Sequence, residues 1–425
     1  MVSTKNELSG SALPVLELPP WVKQEYFENI AAEEFENLSK VTKFTAESGS
    51  APGENYASVI LRIIMECELK DGSNKSLSLM VKTTHPASSM GGQLTQQLGV
   101  FPRETEVYES IIPAFEKMYL DKGKKVVFGP KHYKLAKDPG QDTVVLEDLE
   151  PRKFKNANRF EGFDLDHTES VLKLLAEYHA ASAVYHETVG PFPEKFNTGL
   201  FDRSKKEMFV QVFVPLFAGL KQIFGQFVEN GKHFCELMYP DDIDVMVEQN
   251  LKLGDINPEE FNVLNHGDSW CNNVMFKYND KGEREETILV DFQMGKYGTP
   301  CQDLFYFIFT SVKQELRLTK FDYFIKYYHD NLKENLTLLG YKKPIPTLNE
   351  LHIMLLKKSK MACNAFGTLA MALFDVGKLA GQFKSDDLLS KSLSGVDFKQ
   401  LMFTNPAYIK CLNECLPWLE NRGML

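Results

Sequence analysis

The residues best suited to chemistry lie close together, in Val263 to Phe276 (VLNHGDSWCNNVMF) and Ile288 to Gln293 (ILVDFQ). The first stretch sets His266, Asp268 and Asn273 in the spacing His-x-Asp-x-x-x-x-Asn, and Asp291 follows an apolar run. Phosphoryl transfer from a nucleotide needs few parts. One carboxylate accepts or orients the proton of the attacking hydroxyl, while an oxygen ligand and a second carboxylate hold Mg²⁺ against the phosphates. Asp268 suits the first task, and Asn273 with Asp291 suits the second. Taken singly, each residue reads as readily as a cap or turn in a polar loop. The four in this order between apolar segments argue for chemistry. His266 reads as a residue that fixes the loop, because Asp268 holds the better position for a base. His179, in AEYHAAS, reads as a packed helix histidine.

These side chains need elements to position them. VLNHG and TILVDFQ read as short strands around a polar loop, so that a hairpin over 274–290 returns Asp291 to Asp268 and Asn273. Upstream, ASVILRIIMECEL, the turn signal Asp71-Gly72-Ser73-Asn74 and SLSLMVKT predict a hairpin over 57–83. Residues 21–40 carry roughly helical spacing, and a helix is expected near 101–118. Short strands are expected at Val126 to Phe128, Tyr133 to Lys137 and Thr143 to Leu146. From about 167 the period becomes helical. Thr168 to Tyr185 forms one strong helix with Asp166 or Thr168 as cap, and further helices fall at 204–230, 241–252, 318–340, 348–375 and 405–420. The expected class is α+β and bilobal: a small β-rich lobe over 1–146, a connector at 147–152 and a large, mainly helical lobe over 153–425.

Composition bounds the rest. The chain has 425 residues, 43% hydrophobic and 25% charged, which is ordinary globular usage and excludes a disordered or collagenous protein. A formal net charge of -10 makes nucleic acid a poor partner. The seven Cys are scattered without CxxC or zinc-like spacing, so reduced thiols and a cytoplasmic protein are expected. The N-terminus lacks the basic start and apolar run of a signal peptide, and no membrane span is expected. A monomer is the working expectation.

The stretch from His266 to Asp291 resembles the catalytic and metal-binding loops of the choline kinase and aminoglycoside phosphotransferase superfamily, small-molecule kinases that share the protein-kinase fold. More specifically it resembles the insect ecdysteroid kinase-like family. Gly53-Glu54-Asn55-Tyr56-Ala57-Ser58, Leu79-Met80-Val81-Lys82, Phe101-x-Arg103-Glu104-x-x-x-Tyr108, Val145-Leu146-Glu147-Asp148-Leu149 and Gly298-x-Pro300-x-x-Asp303-Leu304 carry the likeness, from about residue 45 to residue 310. The resemblance implies a bilobal protein-kinase-like fold and an ATP- and Mg²⁺-dependent transfer to a hydroxyl of a small molecule. It makes Lys82 a point charge on the nucleotide phosphates. A lysine between apolar neighbours needs an anionic partner if it points inward. Glu104 is the natural one and Glu106 the second choice. The competing readings are an edge-strand lysine for Lys82 and a solvated helix face for Glu104. The loop Glu47 to Tyr56, with Gly49 and Gly53, would cover the phosphates, and Asn55 and Ser58 would touch their oxygens. The backbone of Glu147, Asp148 and Leu149 would bind the adenine edge. Asp303 would bond backbone near the catalytic loop.

The acceptor is poorly encoded. The Phe- and Met-rich helices of the large lobe favour an ecdysteroid or similar apolar alcohol, although such stripes are more often helix core. Trp270 would bound the acceptor pocket or simply pack. Three other readings stay open. One is a choline- or ethanolamine-type kinase. Another is a protein kinase, against which no A-P-E segment is found and Gln293 follows Asp-Phe where a glycine is expected. The third is a pseudokinase or steroid-binding module without catalysis.

Overall fold

The computed structural model describes residues 18–49, 58–84, 95–199, 201–375 and 398–425. The N-terminal part is a five-stranded antiparallel sheet in the order β1-β2-β3-β5-β4. Its strands are β1 (Leu38–Ser48), β2 (Val59–Leu69), β3 (Asn74–Thr83), β4 (His132–Tyr133) and β5 (Thr143–Glu147). The predicted hairpin is β2–β3. Asp71 accepts the Ser73 amide at 2.9 Å and Gly72 takes the left-handed conformation (φ 83°) that the turn requires. One sheet face, with Leu61, Ile63, Met65, Leu79, Val81 and Val145, packs on Trp21, Phe27 and Ile30, the latter two from in and beside α1 (Glu28–Glu34). Because side chains alternate along a strand, Lys82 points to the other face, where its partner across β5 is Val144.

Helical segments follow. A continuous run comprises α2 (Val100–Glu106), a π-helical turn (Val107–Ile111) and α3 (Ile112–Leu120). It shares its core with the helices of the C-terminal part, above all α4 (Leu165–Thr188). Then come α5 (Lys206–Phe227), α6 (Gly231–Met238), α7 (Ile243–Gly254), α8 (Cys301–Ser311), α9 (Gln314–Arg317), α10 (Phe321–Leu339), α11 (Leu348–Lys357), α12 (Lys360–Leu373), α13 (Phe398–Phe403) and α14 (Pro406–Asn421). Between α7 and α8 lie β7 (Val263–Asn265), paired with β10 (Lys296–Gly298), and the hairpin β8 (Val274–Tyr278)–β9 (Arg284–Leu289), to which β6 (Phe154–Lys155) adds. A β-rich N-terminal region and a helical C-terminal part thus agree with the expected kinase-like fold.

Several expectations need correction. The helical spacing over 21–40 covers only a short helix before β1 begins at Leu38. Two irregularities in the β1–β2 register, at Leu38/Lys40 and Val41/Lys43, break the two-residue alternation and leave an i, i+3 pattern that mimics a helix. Val126 to Phe128 is not a strand. Phe128 donates its N–H to Glu116 at 2.9 Å, and its carbonyl accepts the Leu289 amide. The cap of α4 is Asp164, which accepts the His167 amide at 3.1 Å, not Asp166 or Thr168. The expected helix over 348–375 breaks at Lys358–Ser359 into α11 and α12. All seven cysteines are buried and unpaired. Among the described residues no single helix is long and apolar enough to cross a membrane.

Candidate active site

The loop after β7 is held from below by one residue. Asp303, in the first turn of α8 and fully buried, accepts the His266 amide at 2.7 Å and the Gly267 amide at 2.9 Å, and contacts the Ser269 hydroxyl at 3.4 Å. His179 of α4 completes its shell at 3.1 Å, and Tyr328 lies 2.8 Å from the other nitrogen of that imidazole. Burial alone would raise Asp303, but His179, His266 and the Gly267 amide outweigh it and hold the carboxyl below its ordinary range. Gly267 passes through with φ 84°, and a Cβ there would lie 2.1 Å from the Met294 carbonyl oxygen, so a side chain is excluded.

His266 is spent on structure. Its Nε2–H donates to the Val290 carbonyl at 3.0 Å, and its Nδ1 accepts the Asp268 amide at 3.2 Å. Both nitrogens are used in one neutral tautomer, and burial lowers its pKa further. That leaves Asp268 as the loop's available base. Its Oδ1 accepts the Tyr306 hydroxyl at 2.5 Å and its Oδ2 accepts the Asn273 amide at 2.9 Å. Burial and the Asp291 charge push Asp268 up to about 8, against the pull of Tyr306, Asn273 and Lys82.

Asn273 spends its amide hydrogens on the carbonyl and carboxylate of Asp268, both at 2.9 Å, which leaves its Oδ1 for another partner. The β8–β9 hairpin returns as expected. Val290 donates to the Asn273 carbonyl at 3.0 Å, bringing Asp291 beside Asn273. Asp291 is in the left-handed region (φ 66°, ψ 64°), uncommon for a non-glycine residue. Its amide is held by the Tyr108 hydroxyl at 3.2 Å.

Lys82 joins the two parts of the molecule. Its ammonium lies 2.8 Å from Glu104 of α2, 2.7 Å from Asp291 and 3.1 Å from Gln293 Oε1. The Glu104 contact is a buried ion pair. Burial disfavours the Lys82 charge, but Asp291 and Glu104 outweigh it and hold its pKa above the usual lysine range. Burial raises Glu104, Lys82 draws it back and Asp291 pushes it up again, leaving it above the ordinary carboxylate range. Glu106, the second choice, pairs instead with Lys195 at 3.2 Å.

The remaining candidates stand apart from this cluster. Gly53 and Asn55 lie outside the described residues, as does most of the loop that would cover the phosphates. Ser58 is buried at the start of β2. The side chain of Glu147 pairs with Arg152, and that of Asp148 with Arg62 and Ser78. The Glu147 and Asp148 amides bond Lys131 and Ser78, whereas the Leu149 amide has no protein acceptor among the described residues. Sequence reasoning gave no site role to Tyr108 and Gln293, although both stand in the stretches quoted for the resemblance or beside it, and it missed Tyr306. Tyrosine on an amphipathic helix reads as core, and the signal for Tyr306 was its three-residue spacing from Asp303, which sets both on one face of α8.

The donor set can be tested against Mg²⁺. That ion takes one or two protein oxygens and completes its shell with water and phosphate, so a dedicated protein cage is not required. Asn273 Oδ1 and the partly exposed Asp291 carboxylate fit that demand, although the described residues contain no cluster of three or more ligating side chains. Residues 52–341, about two thirds of the chain, match the family model described as the ecdysteroid kinase-like family. No curated protein matches the chain.

Proposed function

Since the chain belongs to the ecdysteroid kinase-like family, we propose that it transfers the γ-phosphoryl group of ATP to a hydroxyl of a small molecule, with an ecdysteroid or similar apolar alcohol as acceptor. The observation that carries the reading is the convergence on Lys82 of Glu104 and Asp291, at 2.8 and 2.7 Å, next to the bonded pair Asp268–Asn273. Lys82 on β3 offers a fixed positive charge for the phosphates, and its two carboxylates fix where that charge sits. The Leu149 amide, which has no protein acceptor among the described residues, would donate to the adenine edge. Asn273 and Asp291 would hold Mg²⁺, which when bound would neutralise charge on the phosphate oxygens. Asp268 takes the proton of the acceptor hydroxyl as the acceptor oxygen bonds to the γ-phosphorus. The bond from that phosphorus to the β–γ bridging oxygen breaks, and ADP leaves. The transition state is loose, so orientation and charge supply most of the acceleration.

The test is ADP release with Mg²⁺ and ATP across ecdysteroids, choline, aminoglycosides and phenolic alcohols. Turnover on ecdysteroids is expected. Asp268→Ala should lower kcat by roughly 10²–10⁴-fold with little change in ATP affinity. Turnover on choline alone would keep the mechanism and overturn the acceptor. ATP binding without turnover on any alcohol would favour a binding module.

A further inference from the structure

We infer that Tyr306, held by Thr368, is a positioning residue that fixes the Asp268 carboxylate for phosphoryl transfer; the inference rests on the functional reading above. The Tyr306 hydroxyl donates to Asp268 Oδ1 at 2.5 Å, and the Thr368 hydroxyl of α12 donates to the Tyr306 oxygen at 3.1 Å. A phenol has one proton to give. Thr368 occupies one of its lone pairs, so the Tyr306 proton is directed to a single acceptor, Asp268. On the other side, Asn273 donates to Oδ2 at 2.9 Å. The carboxylate is therefore pinned at both oxygens, by two different elements, and each oxygen keeps a lone pair for the acceptor proton.

The division of labour on α8 supports this role. Asp303 and Tyr306 sit three residues apart on one helical face. Asp303 bonds the amides of His266 and Gly267 and so fixes the loop's backbone. Tyr306 fixes the one side chain that must meet the acceptor. Thr368 extends the chain to α12, whose far end is tied by Arg159 to the carbonyls of Met371, Ala372 and Phe374 at 2.8–2.9 Å. Through this chain, the placement of α12 sets the orientation of Asp268.

Tyr306→Phe keeps the ring and removes only the hydroxyl. With the panel alcohol that the wild type phosphorylates, kcat should fall about 10-fold or more while KM for ATP stays within about 2-fold. Thr368→Val should cost a few-fold, and Thr368→Ser should restore the rate. The double variant should be no slower than Tyr306→Phe alone, because Thr368 acts through Tyr306. In an Asp268→Ala background, Tyr306→Phe should leave the residual rate unchanged. Additive losses, or a further loss in the Asp268→Ala background, would assign Tyr306 a general packing role and overturn the inference. If the wild type phosphorylates no alcohol, the functional reading fails and crystal structures decide the positioning. Asp268 in more than one rotamer in Tyr306→Phe would uphold it, and an unmoved carboxylate would overturn it.

Discussion

Asp291 combines a backbone shape and a charge that few residues can supply together. Left-handed φ and ψ disfavour most side chains by about 1–2 kcal/mol, and Asp and Asn are the usual exceptions besides glycine. Its carboxylate meets Lys82 and Gln293, and its amide meets Tyr108. The two demands can be separated by mutation. Asp291→Asn keeps a residue that tolerates this conformation, so the melting temperature should stay within a few degrees, yet affinity for Mg–ATP should drop at least about 10-fold. Calorimetric titration of Mg–ATP with thermal unfolding checks both, and unchanged affinity would overturn the role proposed for Asp291 in holding Mg²⁺. Lys82, Asp268, Asn273 and Asp291 were legible in the sequence as candidates, the last three from the residue types that phosphoryl transfer would use and Lys82 from the resemblance. The sequence did not disclose Gln293, whose amide bridges Lys82 and Asp291, because an amide beside an apolar strand carries no chemical signature of its own.

The elements around the loop are organised by Asp303, which links α8, α4 and the turn after β7. Its pKa lies below the ordinary 3.8, so the folded protein favours the ionised form. The stabilisation is therefore fully present above the unfolded value and is lost as pH falls through the lower folded value. Asp303→Asn should cost about 3 kcal/mol at neutral pH, the scale of breaking a buried charged network. The wild-type urea midpoint should fall more steeply than that of the variant as pH goes from about 5 to about 3. Parallel curves would show that Asp303 does not supply the acid sensitivity. Elements themselves were legible where their period was clean, as in β2–β3 and α4. They were misread at β1, where the register irregularities disguise the alternation, and at 126–128, where one bond to a glutamate side chain and a single bond to the end of β9 do not make a ladder.

At the scale of the whole molecule there are two large apolar cores, one under the N-terminal sheet and one shared by α2, α3 and the C-terminal helices. Composition and period change suggested this arrangement, but not that the helical run from Val100 to Leu120 would share the larger core. The consequence is that Lys82 belongs to the sheet while Glu104 and Asp291 belong to elements tied to the other core. A ligand that engages Lys82 and Asp291 should join both. Mg–ATP is expected to slow hydrogen exchange in β3 and in the 288–294 turn together, by about 10-fold or more, and Lys82→Met should abolish the effect at both. Protection of one segment alone would deny the link. The seven thiols, all buried, offer a further handle on the same molecule. Burial raises the pKa of Cys271, Cys301, Cys363 and Cys415, so the reactive thiolate is scarce as well as shielded. Alkylating reagents should then leave the native protein almost unlabelled and mark it only as it opens. Mass spectrometry of the adducts would time the exposure of each region, Cys67 for the sheet and the other six for the helical part, without any engineered probe.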